Sequence, residues 1–251
     1  MENKQINLRV INRDMLKYIA VVAMFISHFL IYTIKELKLL GIPMNIARLL
    51  MQLQFIAPPI FFFFIAEGFH YTGSKKKYAL RLFGFAIITQ FTYVLSHALF
   101  FDTVMFFTSW NVIMSLFLGL VVLVIWEWKK PLPIRLILIA GCCALSYALN
   151  MEWAITGQLV IWTFHLFRER PLIRLMLYEL IMLGYVVIGV GGINAIFMNW
   201  QLLLTTFLAI VLITFFYNGK KGKYPKFSKY FFYIFYPAHW LLIYFVRIIA
   251  G

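Results

Sequence analysis

With 251 residues, of which 63% are hydrophobic and 13% charged, and a mean hydropathy of +0.87, the chain lies far from a soluble domain, where about half the residues are apolar and about a quarter charged. A formal net charge of +14 would suit a polyanion, but the basic residues stand in short clusters between apolar runs, so membrane topology accounts for them and nucleic acid is set aside as a partner. What remains is an all-α, polytopic bundle of membrane helices: a single domain over residues 1–251, without space for a sizeable soluble domain.

In chain order, the first stretch, MENKQINLRVINRD, is polar up to Met15, which argues against a cleaved signal peptide. Apolar runs follow at 15–34, 49–71, 80–101, 109–128, 132–149, 153–167, 172–190, 200–217 and 231–249. A crossing takes about 20 apolar residues, so the expectation is about nine spans, within a range of about eight to ten. The run at 153–167 is short, and Pro58 and Pro59 in the second run predict a kink or a local break.

The alternation of Lys and Arg places the N-terminus in the cytoplasm. That side collects Lys4, Arg9, Arg13 and Lys17, then Lys75, Lys76, Lys77 and Arg81, then Lys129, Lys130 and Arg135. Arg168, Arg170 and Arg174 follow, and then Lys220, Lys221, Lys223, Lys226 and Lys229. Lys35, Lys38, Arg48 and Arg247 fall on the other side, so the expected count of crossings is odd and the location is a multi-pass cytoplasmic membrane. The stretch KELKLLGIPMNIAR at 35–48 reads as an amphipathic helix at the interface. Cys142 and Cys143 are adjacent and mid-span, which suits packing better than a disulfide or metal ligation.

Ionisable groups deep in a span are costly and therefore candidates for function. Asp14 and Lys17, three residues apart at one end of the first span, are placed to pair, either as an interfacial anchor or as part of a site. His28 lies about 20 Å further along that helix and reads either as a base facing a cavity or as a packed histidine bonded to a carbonyl or hydroxyl. Glu67 ends the second run beside Lys75, Lys76, Lys77 and Arg81; this cluster suits lipid headgroups or, equally, the phosphates of a cytosolic donor. Asn111 and Ser115, at i and i+4, share a helix face and suit interhelical hydrogen bonding. Glu179 is expected to pair back toward Arg174, while His97, Glu152 and His165 fall near span ends within reach of water. In the last run Pro237 removes a backbone donor and turns His239 toward the bundle interior.

The stretches DMLKYIAVVAMFISHF, FFFFIAEGFHYTGSKKKYALRLFGFAIITQFTY, WNVIMSLFLGL and FYIFYPAHWLLIYF, in this order, resemble the TraX family of integral membrane proteins, named for acetylation of the N-terminus of conjugative pilin. That family is in turn similar to the acyltransferase 3 group, whose first span carries an Arg or Asp near its start and a His further on; Arg13, Asp14 and His28 match, while Ser27 stands where TraX-like sequences often carry an acidic residue. The resemblance implies a membrane-embedded acyltransferase that moves an acetyl or other short acyl group from cytosolic acetyl-CoA to an amine or hydroxyl of a peptide, glycan or lipid acceptor. It implies catalytic roles for His28 as base, His239 and Asn111 at the developing charge, Glu67 in orientation and Asp14 beside them. Lys75, Lys76, Lys77 and Arg81 would hold the donor's phosphates, with membrane lipids and the acceptor as partners and no metal. Without a recognisable Ser or Cys nucleophile motif, direct transfer is preferred to an acyl-enzyme. The alternative from buried His and Glu on kinked helices is a small proton-coupled transporter or flippase; a third reading is a non-catalytic assembly factor.

Overall fold

The computed structural model describes residues 8–34 and 41–250. Lys4 and the charged residues Lys35 and Lys38 of the expected amphipathic helix lie outside them. The described chain is mainly helical, with two isolated β-bridges, Ile11 with Tyr217 and Trp110 with Met151, and no strand among the described residues.

The helices are α1 (Arg13–Tyr32), α2 (Met44–Met51), α3 (Ala57–Tyr71), α4 (Lys75–Ala98), α5 (Thr103–Thr108) and α6 (Val112–Trp126), then α7 (Leu132–Ala148), α8 (Ala154–Leu166), α9 (Pro171–Gly184), α10 (Ala195–Met198), α11 (Trp200–Val211) and α12 (Pro225–Ala250). Their starts follow capping rules. Asn12 accepts the amides of Asp14 and Met15 to open α1, Ser74 that of Lys77 to open α4, and Asn111 that of Ile113 to open α6. The local break expected at Pro58 and Pro59 is a 3-10 turn over Gln52–Ile56 that joins α2 to α3, with both prolines in the first turn of α3, where a missing amide costs nothing. Pro237, by contrast, sits inside α12, which runs on through it.

Among the described residues, five helical stretches are long and apolar enough to cross a membrane: Arg13–Tyr32, Met44–Tyr71, Lys75–Ala98, Pro171–Gly189 and Tyr230–Ile249. Shorter apolar helices occupy Val112–Trp126, Leu132–Ala148, Ala154–Leu166 and Trp200–Phe216. These features mark a membrane protein. Large apolar side chains such as Val22, Leu80, Ile137 and Phe245 face outward, the pattern of a surface solvated by lipid.

Inside, α4 packs along α12 on one side and α6 on the other, α6 packs on α8, α8 on α3, and α3 on α1. Close approach of α6 and α8 depends on Gly119, where any Cβ would collide with Ile161. One contiguous core runs through these helices and includes Phe62, Phe164, Ile161, Leu120, Tyr178 and Trp240. α1, α3, α4, α6 and α12 enclose the site.

Candidate active site

Between those five helices lies a cavity of about 710 Å³. One end is charged: Arg13, Asp14 and Lys17 from α1, Glu67 from α3, Arg81 from α4, and Lys221 from the segment before α12. The walls beyond are apolar, with Val21, Met24, Phe61, Phe64, Ile65, Leu82, Ile113 and Leu116, and the far part is bounded by Val112 and Tyr236.

The charged end is held by contacts the sequence did not announce. Asp14 is 5% exposed and pairs at 3.0 Å with Arg13 Nε rather than with Lys17. Its second carboxylate oxygen is buried without a hydrogen-bond partner, and the loop residue Gly222 lies so close that a Cβ there would strike the carboxylate. Lys17 instead stands over the rings of Phe64 and Phe232, at 4.8 and 5.4 Å from their centroids. The Tyr217 hydroxyl reaches both oxygens of Glu67 at 2.9 Å, so the side chain that Glu67 holds is a tyrosine 150 residues away. Lys75, Lys76 and Lys77 form the exposed first turn of α4 and do not line the cavity, Lys75 lying 4.0 Å over the Phe69 ring; of the expected basic cluster only Arg81 does.

The far end is aromatic. His28 Nδ1 and His239 Nε2 lie 3.2 Å apart, with the rings stacked at 5.4 Å. His239 is 2% exposed. The pair sits one helical turn past the cavity lining, since Met24 precedes His28 by four residues and Tyr236 precedes His239 by three. Trp240 stacks on His28 at 4.7 Å and packs against His97, Tyr32 and Tyr93. Ser27, beside His28, turns its hydroxyl back to the Met24 carbonyl at 2.9 Å, so the nearest ionisable partner of His28 is another imidazole rather than a carboxylate.

His97, expected to be a wet residue near a span end, belongs to this cluster. Its Nδ1 lies 2.8 Å from the Tyr93 carbonyl and its Nε2 2.5 Å from the Tyr32 hydroxyl. A carbonyl can only accept, so in the neutral ring Nδ1 carries the proton and Nε2 accepts from Tyr32. Glu152 is the second such residue. It lies outside the helices, its carboxylate hydrogen-bonded by the Tyr93 hydroxyl and the Val112 amide. Burial pushes that carboxyl up to about 7, against both hydrogen bonds, which favour the anion.

Asn111 is fully buried but committed elsewhere. Its amide donates to the Ala86 carbonyl at 2.9 Å and to Gln90 Oε1 at 2.7 Å, while its oxygen caps α6. Ser115 donates to the Glu152 carbonyl. Arg174 does not meet Glu179; it lies over the rings of Phe63 and Phe164 at 5.0 and 5.9 Å. His165 pairs with Glu127 at 3.0 Å, away from the cavity. Sequence reasoning missed Tyr217, Tyr32, Tyr93 and Trp240, and only the spacing of Tyr236 and Trp240 around His239 carried a signal for any of the aromatic partners.

The family described as TraX protein matches residues 12–247. A probable fimbrial assembly protein FimC, serogroup H1, of Dichelobacter nodosus is 31% identical over 176 residues, covering 65% of this chain and 69% of that protein. No solved structure matches the chain. These comparisons correct the expected function: they point to pilin acetylation or assembly instead of transfer from acetyl-CoA to an open class of peptide, glycan or lipid acceptors, and they lend nothing to a transporter or flippase. The residues alone were silent on this because a base and oxyanion donors serve acyl transfer in the same way whatever molecule carries the acceptor. With the match running from the start of α1 nearly to the end of α12, the chain belongs to the TraX family.

Proposed function

We propose that this chain serves fimbrial assembly by acetylating the pilin subunit, with acyl-CoA as donor and His28 and His239 as the proton-handling pair. The single observation that carries the reading is the 3.2 Å contact between these two rings, 211 residues apart in the chain, one turn beyond a cavity that is cationic at its other end. An imidazole deep in a membrane bundle is expensive, and two in contact more so.

The cavity fits the donor in kind. Its volume lies within the about 300–1,000 Å³ of small-molecule sites, with Arg13, Lys17, Arg81 and Lys221 at one end to hold phosphates and an apolar channel beyond. Lys75, Lys76 and Lys77 crowd positive charge into the first turn of a helix, where the dipole opposes it; they act as a steering rim that an anion relieves. The bound thioester would supply an activated acetyl group. The imidazole pair takes one proton from the neutral acceptor amine as the new N–C bond forms and the C–S bond breaks, and returns it to the leaving thiolate; the other proton stays on the amide nitrogen. Asn111 acts by fixing α4 to α6, and Glu67 with Asp14 arranges the cations of the mouth.

In this reading residues 1–251 form one domain in the cytoplasmic membrane, crossing it about nine times with the N-terminus in the cytoplasm, which puts the cationic mouth on the side where CoA is found and the imidazole end toward the opposite face. Purified protein in nanodiscs, given radiolabelled acetyl-CoA and pilin, tests it. Label should move to pilin, and His28→Ala should abolish the transfer; undiminished transfer by that variant would remove the histidine from the chemistry.

A further inference from the structure

Glu152 is held in place at a cost. Asn150 and Trp153, on either side of it, have φ of 44° and 63°, the left-handed region that a tryptophan side chain rarely adopts. The strain is locked by packing, since Trp153 stacks on Tyr185 at 5.5 Å and meets Phe62 edge-on at 6.0 Å. The Glu152 amide donates to the Trp110 carbonyl at 2.9 Å, and its carbonyl accepts from Ser115. This scaffold turns the carboxyl inward onto Tyr93 and the first amide of α6.

The carboxyl has only neutral donors around it. Among the described residues the ion pairs are Arg13 with Asp14, His165 with Glu127, and Arg168 with Glu169, so Glu152 forms no ion pair there. An enclosed carboxylate without a counter-charge is unfavourable until one arrives. Its electrostatic neighbours are the phenols of Tyr93, Tyr32 and Tyr236; Arg247 covers the Tyr32 ring at 5.9 Å and spends its guanidinium on the Ser96 and His97 carbonyls, which leaves the Tyr93 and Tyr236 rings beside the carboxylate, the chemistry that recognises an ammonium group. Position agrees. Tyr93 is twelve residues beyond Arg81 on α4, about 18 Å along the helix, so Glu152 lies at the opposite end of the site from the cationic mouth. It is nevertheless beside the imidazole pair: Tyr93 packs on Trp240 at 5.5 Å, and Trp240 stacks on His28 at 4.7 Å. Tyr236 and Val112, which bound the cavity, are the residues that link it to Glu152.

We infer that Glu152, with Tyr93 and the ring of Tyr236, binds the acceptor's primary ammonium group, the free N-terminus of a polypeptide, takes one of its protons and presents the neutral amine to His28 and His239. The inference rests on the acetyl-transfer reading above and adds to it which end admits the acceptor and which residue selects an amine over a hydroxyl. An anionic donor entering among cations and a cationic acceptor settling on an anion would meet at the imidazoles between them.

The test is binding of a short synthetic peptide with the sequence of the mature pilin N-terminus, in free-amine and N-acetylated forms, to the full chain in nanodiscs. The wild type should prefer the free amine by about tenfold or more, the worth of a charge-assisted hydrogen bond. Glu152→Gln should erase the preference and Glu152→Asp should retain part of it. Tyr93→Phe, which leaves the carboxyl in place but removes its phenol, should weaken the preference and serves as the readout if Glu152→Gln does not fold. Equal binding of both peptides by the wild type, or a preference that survives Glu152→Gln, would overturn the assignment. Acetyl transfer by the wild type, measured in parallel, separates the two levels: transfer that persists with no amine preference sinks only the role of Glu152, whereas absence of transfer with the preference intact sinks the chemistry and leaves an amine-binding site.

Discussion

At the Lys17 end of the cavity the helices gather charge, and at the His28 end, eleven residues and about 16 Å along the same helix, they gather rings. The charged end is built largely from residues close in sequence to one another, Arg13 with Asp14 and Lys17, Glu67 with Gly68 and Tyr71. The ring end is closed and joins α1, α4 and α12 through His28, Tyr32, Tyr93, His97, His239 and Trp240. Charges beside one another on a helix meet by local spacing, and a carboxylate and its cation one turn apart need little from distant helices to be placed. Imidazoles and phenols enclosed among helices must find partners, so their placement is specific.

That contrast predicts how the two ends break. Removing an imidazole should have the largest effect: His28→Ala or His239→Ala lowers kcat by about a hundred- to ten-thousandfold, the range for loss of a general base, with the donor's KM little changed, as steady-state transfer kinetics would reveal. Next comes the mouth. Arg81→Glu, which places a carboxylate in the cavity wall, should raise the donor's KM about tenfold or more with a smaller change in kcat. Replacing Lys75, Lys76 and Lys77 together by Glu should raise it by only about threefold, and the effect should vanish at high salt, as the proposed steering from the rim requires. If the triple variant proves worse than Arg81→Glu, the phosphates sit outside the cavity.

Asn111→Ala sharpens the comparison from the structural side. It strips α6 of its cap, removes the side-chain donor to the Ala86 carbonyl and leaves Gln90 Oε1 with only the backbone amide of position 111, so it should cost about 1–3 kcal/mol of stability; residual folded protein should keep its kcat, which transfer assays at low temperature can check. A further effect concerns pH. Because the folded state holds the Glu152 carboxyl up to about 7 from an ordinary 4.5, folding binds a proton in that window, and stability present below about 4.5 is lost as pH rises to about 7. Glu152→Gln should flatten this decline in thermal unfolding curves, and an unchanged slope would show that another group sets it.

Much of the charged end was legible in the sequence because its residues fall within one or two helical turns of each other or at adjoining helix ends, where spacing alone implies proximity. Even there, the partner of Asp14 was misread, since Arg13 reaches it and Lys17 finds two phenylalanine rings instead. The ring end was legible only as isolated histidines: nothing local to His28 or His97 says that Trp240 lies between them. Glu152 and His97 looked like solvent-facing residues because they sit next to span ends, yet neighbouring helices cover them.

Composition and the period of apolar runs determined by themselves that the chain would be helices immersed in lipid, because every backbone polar group in hydrocarbon must be satisfied within its own segment, and the order of the motifs was enough to carry a family resemblance. Helix-to-helix packing alone decided which polar groups meet: His28 with His239, Tyr217 with Glu67, Tyr93 with Glu152. Those contacts join residues far apart along the chain, and their geometry is set by how side chains on different helices interlock, a property that no single segment contains.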